Sequence, residues 1–209
     1  MKRRLLTVLG ALAVAIVATI AAVIPASAHE PVELDAHDVL PWTSPLILDG
    51  QSPTMLFGTL PRAGAVRSAQ LRFTAGQQLV VNLAVPDEAP ENQLTAERLP
   101  TVTIVSPDCK VTQVKATKRV PIKVGEENPL DVLLLGSYSA PVVPGTYSII
   151  VSAGAPARFA VATGMEGLPF GGIARGHVAT EEDVLSWYAT APGTADSRTG
   201  TLARRHPAA

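Results

Sequence analysis

The stretch at residues 136–164, GSYSAPVVPGTYSIIVSAGAPARFAVATG, decides the fold. Two runs separated by a turn place an apolar residue at every second position, as a strand buried on one face requires. The alternating residues are Tyr147, Ile149 and Val151 in the first run, and Phe159 and Val161 in the second. A Pro-Gly pair at 144–145 precedes the first run. This pattern predicts the closing strands of a β-sandwich.

Short runs of the same kind precede this stretch, separated by turn signals at near-regular spacing. They are Thr54–Leu60, Val66–Phe73, 77–85, Thr101–Val105, 111–115 and Val120–Val124. The run at 131–138, DVLLLGSY, is apolar on both faces and is predicted as a central strand. Many short strands and one late helix predict an all-β fold, an antiparallel β-sandwich with one short C-terminal helix. The runs 66–73 and 77–85, joined by Thr74-Ala75-Gly76, are the clearest predicted hairpin.

Alternation that converges from separate strands predicts the residues of the core. They are Leu71, Phe73, Leu79, Val81, Leu83, Ile104, Leu134, Tyr147, Ile149, Phe159 and Val161. The long polar loop at 86–100 holds no ordered series of ligands, so it is predicted as a solvated connection between sheets.

The segment before the sandwich has a different composition. Residues 29–45 are rich in proline and acids, and we predict an extended leader held in place by Trp42. The sandwich domain is then expected to span 46–164, opening with Leu46-Ile47-Leu48 as a short edge strand. Pro121 likewise indicates that Val120–Val124 lies at a sheet edge.

The segment after the sandwich changes period. Residues 165–190 are predicted as a loop followed by a helix, with Thr180 as N-cap and acids in the first turn. An apolar side would dock this helix on the sandwich. Its members are Val184, Leu185, Trp187 and Tyr188. Residues 191–209 hold almost no bulky apolar side chain, and a disordered tail is expected there.

Residues 1–28 are typical of a secretion signal. Three basic residues precede an apolar run at 5–24, and Ala26-Ser27-Ala28 is a small-residue cleavage site. The arginine pair lacks the context of a twin-arginine signal, which favours the general secretion route to the cell envelope or extracellular space. Because the apolar run is nearly long enough to span a bilayer, an uncleaved anchor stays the alternative.

Charge and cysteine content limit the partners. Removal of residues 1–28 takes away three of the 17 basic residues, and the remaining 14 face 18 acidic residues, a formal net charge of −4. This balance disfavours nucleic acid or an anionic membrane and leaves a protein or cell-wall partner of unknown identity. The basic residues at 115–123 are interpreted as protection of an edge strand against aggregation. Cys109 is alone in the sequence.

Four stretches together resemble a known family. MLFGTL (55–60), RSAQLRFTAGQQLVVNLAVP (67–86), LPTVTIVSPD (99–108) and VPGTYSIIVSAGAPARFAVATG (143–164) are similar to the pre-peptidase C-terminal domain of exported bacterial proteins. The resemblance covers 54–164 and implies a jelly-roll-like sandwich that serves as a non-catalytic appendage or envelope module. The leader, the C-terminal helix and the lack of a preceding peptidase domain depart from the family, as does Cys109 at a turn position where Gly is expected. No catalytic residue carries over.

The sequence contains no recognisable catalytic pattern. It has no Gly-x-Ser-x-Gly motif, no Gly-rich phosphate loop and no Cys-x-x-Cys pair. A nucleophile needs a nearby histidine and acid, and none of the four histidines lies in such a context. We therefore predict a protein that is not an enzyme and needs no cofactor.

An alternative function is extracellular copper binding. Cleavage after Ala28 would free the α-amine of His29, and this amine, its imidazole and a second imidazole would form a three-nitrogen site for Cu(II). His37 is the nearest second ligand in sequence, whereas His177 would have to be brought close by folding. Asp35 and Asp38 are candidate supporting groups. The arrangement is similar to the histidine brace of exported copper carriers and copper-dependent polysaccharide oxygenases, although only the terminal histidine matches.

Overall fold

A computed structural model describes residues 29–125 and 128–193. The predicted signal at 1–28 and the greater part of the predicted tail, 194–209, lie outside the described residues. The described strands form two sheets of six strands each, and the sandwich predicted from the sequence is confirmed. Among the described residues, no helix has the length and apolar character needed to cross a membrane.

The first sheet contains the strand formed by the second alternating run of the stretch at 136–164. Its strands, in spatial order, are β1 (Glu30–Leu34), β3 (Thr54–Leu60), β11 (Ala157–Thr163), β5 (Gln78–Pro86), β9 (Leu130–Pro141) and β8 (Val120–Val124). All neighbours pair antiparallel except β1 and β3, which run parallel. Strand β8 lies at the edge, as Pro121 predicts.

The second sheet contains the first closing strand. Its spatial order is β12 (Ile173–Arg175), β2 (Leu46–Ile47), β4 (Val66–Phe73), β10 (Gly145–Ser152), β6 (Thr101–Val105) and β7 (Val111–Val114). Strands β2 and β4 are parallel, and the remaining pairs are antiparallel. The core lies between the two sheets.

The hairpin predicted from 66–73 and 77–85 is wrong. Strand β4 belongs to the second sheet and β5 to the first, so the turn between them crosses from one sheet to the other. Both strands bury one face in the same core, and their alternation is therefore identical to that of a hairpin. The turn after β10 crosses the sandwich in the same way, because β10 and β11 lie in different sheets.

The predicted core is buried, with Leu134 as the exception. A register shift between Leu83 and Ala84 opposite β9 lets Leu133 and Leu135 both enter the core, and Leu134 points to the outer face of the sheet. An extra residue in one strand inverts the facing of the residues beyond it, which period-two reasoning does not anticipate.

The predicted leader is part of the sandwich. Residues Glu30–Leu34 form an edge strand in which Val32 and Leu34 are buried. Trp42 does not hold this segment, since 70% of its surface is exposed. Leu46–Ile47 is not an edge strand either, because β12 pairs along its outer side. The sandwich therefore extends beyond the expected bounds of 46–164, because β1 belongs to the first sheet and β12 belongs to the second.

Helix α1 (Glu181–Ala189) begins where the sequence predicts. The Thr180 side chain accepts a hydrogen bond from the Asp183 amide, and the Asp183 carboxylate accepts one from the Thr180 amide. This capping box satisfies amide groups that the first helical turn leaves without partners. Val184 and Trp187 are buried against the outer face of the first sheet, but Leu185 is 36% exposed and lies off the docking side.

Candidate binding surfaces

A buried ion pair lies on the outer face of the first sheet. Arg158 is 1% exposed and Glu91 is fully buried. The Arg158 Nε donates to Glu91 Oε1 at 3.0 Å, and its Nη2 donates to Oε2 at 2.8 Å. The backbone amide of Arg158 also donates to Oε1 at 2.6 Å. The carboxylate thus accepts a two-pronged contact of the kind that makes arginine pairs strong and directional.

The same guanidinium connects three parts of the chain. Its Nη2 donates to the Ala89 carbonyl at 3.2 Å, and its Nη1 donates to the Tyr188 carbonyl at the end of α1. Glu91 begins a short 3-10 turn in the loop at 87–100. The pair therefore fixes both this loop and the end of α1 onto strand β11. The loop connects the two sheets and is largely accessible to solvent, as predicted, but the buried Glu91 also anchors it, which the sequence did not indicate.

Arg119 secures the same loop from the side. Its guanidinium donates to the carbonyl of Asn92 at 2.8 Å and to that of Leu94. Lys123, the other member of the basic run on this edge, pairs with Asp131 at 2.6 Å. Two of the basic residues at 115–123 are thus engaged in contacts within the chain.

Beside helix α1, the outer face of the first sheet stays uncovered. A shallow apolar depression of about 80 Å³, here called the outer trough, lies between α1 and the β8–β9 hairpin. Ile122, Val124 and Leu134 form one wall, Trp187 forms the other, and Ala84 and Ala162 lie on the floor. Asn82 is its one polar lining residue among the described parts of the chain.

Acidic groups gather at one end of the outer trough. The Tyr188 hydroxyl donates to the Asp131 carbonyl at 2.7 Å. Burial raises the pKa of Tyr188, and the negative charges of Glu88, Asp131 and Asp87 raise it further. Leu130 and Trp187, which precede Asp131 and Tyr188 in the chain, both line the trough. The apolar surface therefore has an acidic border.

The predicted copper ligands His29 and His37 flank strand β1. Its five residues extend over about 13 Å, at roughly 3.3 Å per residue, which places the two histidines beyond opposite ends of the strand. His177 precedes a bridge from Val178 to Val32 in antiparallel register, so it lies toward the His37 end of β1. Within the described residues, no three His, Cys, Asp or Glu side chains form a metal-binding group.

The surroundings of each histidine differ. Burial lowers the pKa of His29, while the charge of Glu166 opposes this shift. His37 is exposed, and its Nδ1 lies 3.5 Å from Asp35 Oδ1. The Asp35 carboxylate accepts from the His37 amide at 2.6 Å, and Asp38 accepts from the Asp35 amide at 2.8 Å, so both predicted supporting carboxylates stabilise their own turn. Copper binding by His29 stays a prediction.

Sequence reasoning missed the Arg158–Glu91 pair and the outer trough. One signal was present: Arg158 is the single charged residue of the apolar strand ARFAVAT, and arginine is rarely found fully buried without a partner. Nothing in the sequence selects Glu91 among the acids of the loop. The trough depends on which strands become neighbours in the sheet, and the alternation of side chains along each strand does not specify that pairing.

Comparisons with known proteins give no identification. No protein-family model matches the chain, and no curated protein matches it. The resemblance to the pre-peptidase C-terminal domain therefore stays a prediction, and the class of protein that the structure defines is a two-sheet β-sandwich with a helix packed on the outside of one sheet.

Proposed function

We propose that the chain is an exported, non-catalytic β-sandwich module of the cell envelope or extracellular space that binds a protein partner. The supporting observation is the outer trough, an apolar depression that the chain's own helix leaves uncovered. Apolar surface beside a polar border is characteristic of an interaction site, because its burial against a partner removes it from water.

The exposed residues of strand β8 extend this surface. Val120, Ile122 and Val124 are 42%, 37% and 39% exposed, and their partners in β9 place them on the same outer face as Leu134. Helix α1 demonstrates how an element packs on this face: its Val184 and Trp187 contact Phe57 and Ala160. A second amphipathic helix lying beside α1 would bury the trough in the same manner.

The acidic border specifies the partner's charge. Glu88, Asp87 and Asp131 lie at one end of α1, and Glu181 and Glu182 are exposed in its first turn. Lys123 pairs with Asp131, and Arg158 lies 3.7 Å from Glu88 as well as against Glu91. Among the described residues, Asp87, Glu181 and Glu182 therefore supply the acidic charge of this border that has no basic side chain paired with it. The partner is therefore an amphipathic helical segment of a protein, apolar on one side and basic at its flanks.

Site-specific photocrosslinking tests this function in the cells that produce the chain. A photoreactive residue at Ile122 is expected to give one discrete protein adduct, and the same residue at Val111, exposed on the edge of the other sheet, is expected to give none. A synthetic peptide of the crosslinked partner segment should then bind the purified protein and fail to bind a Leu134→Asp variant that melts normally.

Three results would contradict the proposal. They are equal adducts from the two positions, no adduct from Ile122, and a crosslinked segment that is acidic or lacks an apolar side. Recovery of the chain from the cytoplasm with residues 1–28 intact would overturn the exported part of the proposal on its own.

A further inference from the structure

A second depression lies at the end of the sandwich where β9 ends and β10 begins. This end cleft has a volume of about 150 Å³ and opens between the two sheets. Leu79, Ala140 and Pro141 from the first sheet line one side with Tyr138. Asp108, Lys110 and Thr112, from the turn between β6 and β7 and from β7 itself, line the other. One wall is therefore apolar and aromatic, and the other is polar.

The turn that carries the polar wall is held rigidly. The Ser106 hydroxyl donates to an Asp108 carboxylate oxygen and accepts from the Lys110 amide at 3.1 Å. The Ser106 amide donates to the Lys110 carbonyl at 3.0 Å. Cys109, at φ +62°, completes the tight turn in a conformation that favours glycine. The Ser106 contact also lowers the pKa of Asp108.

Several polar groups of the cleft lack partners. Thr112 pairs with the core residue Ile104, so it lies on the inward side of its strand, where the rest of the sandwich is apolar. Tyr138 pairs with the core residue Val81 and is likewise inward. Within the described part of the chain, the side chains of Thr112, Tyr138 and Lys110 make no hydrogen bond. Thr112 and Tyr138 are both half-exposed at the cleft, so their hydroxyls can bond to water or to the hydroxyl groups of a ligand that displaces it.

We propose that the end cleft binds a single neutral saccharide residue. The hydroxyl groups of such a ring both donate and accept, which suits the exposed carboxylate of Asp108, the ammonium of Lys110 and the hydroxyls of Thr112 and Tyr138. Its C–H faces suit the wall formed by Leu79, Ala140 and Pro141. The volume is below the roughly 300–1,000 Å³ of drug-sized sites, so one ring enters and the remainder of a glycan stays outside.

The presence of one acidic and one basic group favours a neutral ligand over an ion. A carboxylate-bearing ligand would meet the Asp108 charge, and a cationic ligand would meet the Lys110 charge, whereas a neutral ring uses both groups. The cleft is separate from the outer trough, because its lining residues face the space between the sheets.

Amide-detected NMR titration of the processed chain tests this inference with the methyl glycosides of glucose, galactose, mannose and N-acetylglucosamine as probes. We expect at least one glycoside to shift amides of residues 106–112 and 138–147, with a Kd of about 1 mM, as a single ring with few contacts allows. Thr112→Val and Asp108→Asn should each weaken that binding about three- to tenfold, a loss typical of one hydrogen bond to a solvent-accessible group.

Thr103→Val is the matched control, since Thr103 lies on the neighbouring strand β6 and is absent from the cleft lining. It should leave the glycoside Kd unchanged. Glycine and choline chloride serve as zwitterionic and cationic probes. The inference is overturned if no glycoside binds, if glycine or choline shifts the same amides more strongly, or if the glycoside shifts map to the outer trough or respond equally to all three variants.

Discussion

The outer face of the first sheet has two halves that differ in how they are covered. In one half, the loop at 87–100 and helix α1 lie over Arg158 and Phe57. In the other, Ile122 and Leu134 face the open outer trough. Both halves carry apolar side chains, but only the first also contains a buried ion pair that specifies which segments cover it. Burial of apolar surface is non-directional, so it does not specify which segment covers a face. Hydrogen bonds between charged groups are directional, and they fix the covering segment in one position.

The largest expected effect is in the closed half. Glu91→Gln should lower the free energy of unfolding by about 3–5 kcal/mol, because it leaves the buried Arg158 charge uncompensated. Glu88→Gln is the control: Glu88 is 51% exposed and 3.7 Å from the same guanidinium, so its loss should cost less than about 1 kcal/mol. Urea denaturation measures both. Similar losses would mean that the buried pair does not fix the loop.

A smaller difference is expected between apolar residues of the two halves. Trp187→Ala should lower the free energy of unfolding by about 3 kcal/mol. It removes a buried ring whose centroid lies 5.2 Å from that of Phe57, and it removes the hydrogen bond from the indole N–H to the Gly58 carbonyl. Ile122→Ala, in the open half, should cost less than about 1 kcal/mol because the side chain is already partly in water. Thermal unfolding of the two variants compares them, and equal melting temperatures would show that α1 is not docked.

The smallest expected effect depends on pH at the border of the two halves. Burial and the charges of Glu88, Asp131 and Asp87 raise the pKa of Tyr188 in the folded chain. The stability that this shift contributes is present below the ordinary tyrosine pKa of about 10 and is lost as pH rises through the folded value. Between about pH 9 and 11, Tyr188→Phe should therefore lose less stability than the wild type in urea denaturation. Parallel curves would show that folding leaves the pKa of Tyr188 unchanged.

Much of the sandwich is predictable because each strand carries its own facing pattern. Tyr147, Ile149 and Val151 alternate in sequence and are buried in the structure. Alternation alone places Leu134 on the inner face, and this is wrong because β9 has a register shift that depends on the neighbouring strand β5. The same limit applies to the proposed binding surfaces. Residues of the trough and of the end cleft are ordinary strand residues until the sheets assemble around them.

By itself, the sequence determined the class of fold, the inward side of most strands, and the start of α1 at its capping box, because alternation and capping are local properties of the chain. Only the tertiary structure decided that β4 and β5 lie in opposite sheets, that Glu91 reaches Arg158 across 67 residues, and that one half of an apolar face stays open. Each of these is a choice between distant segments with equivalent local patterns, and the choice follows from burying all of them in one packed arrangement.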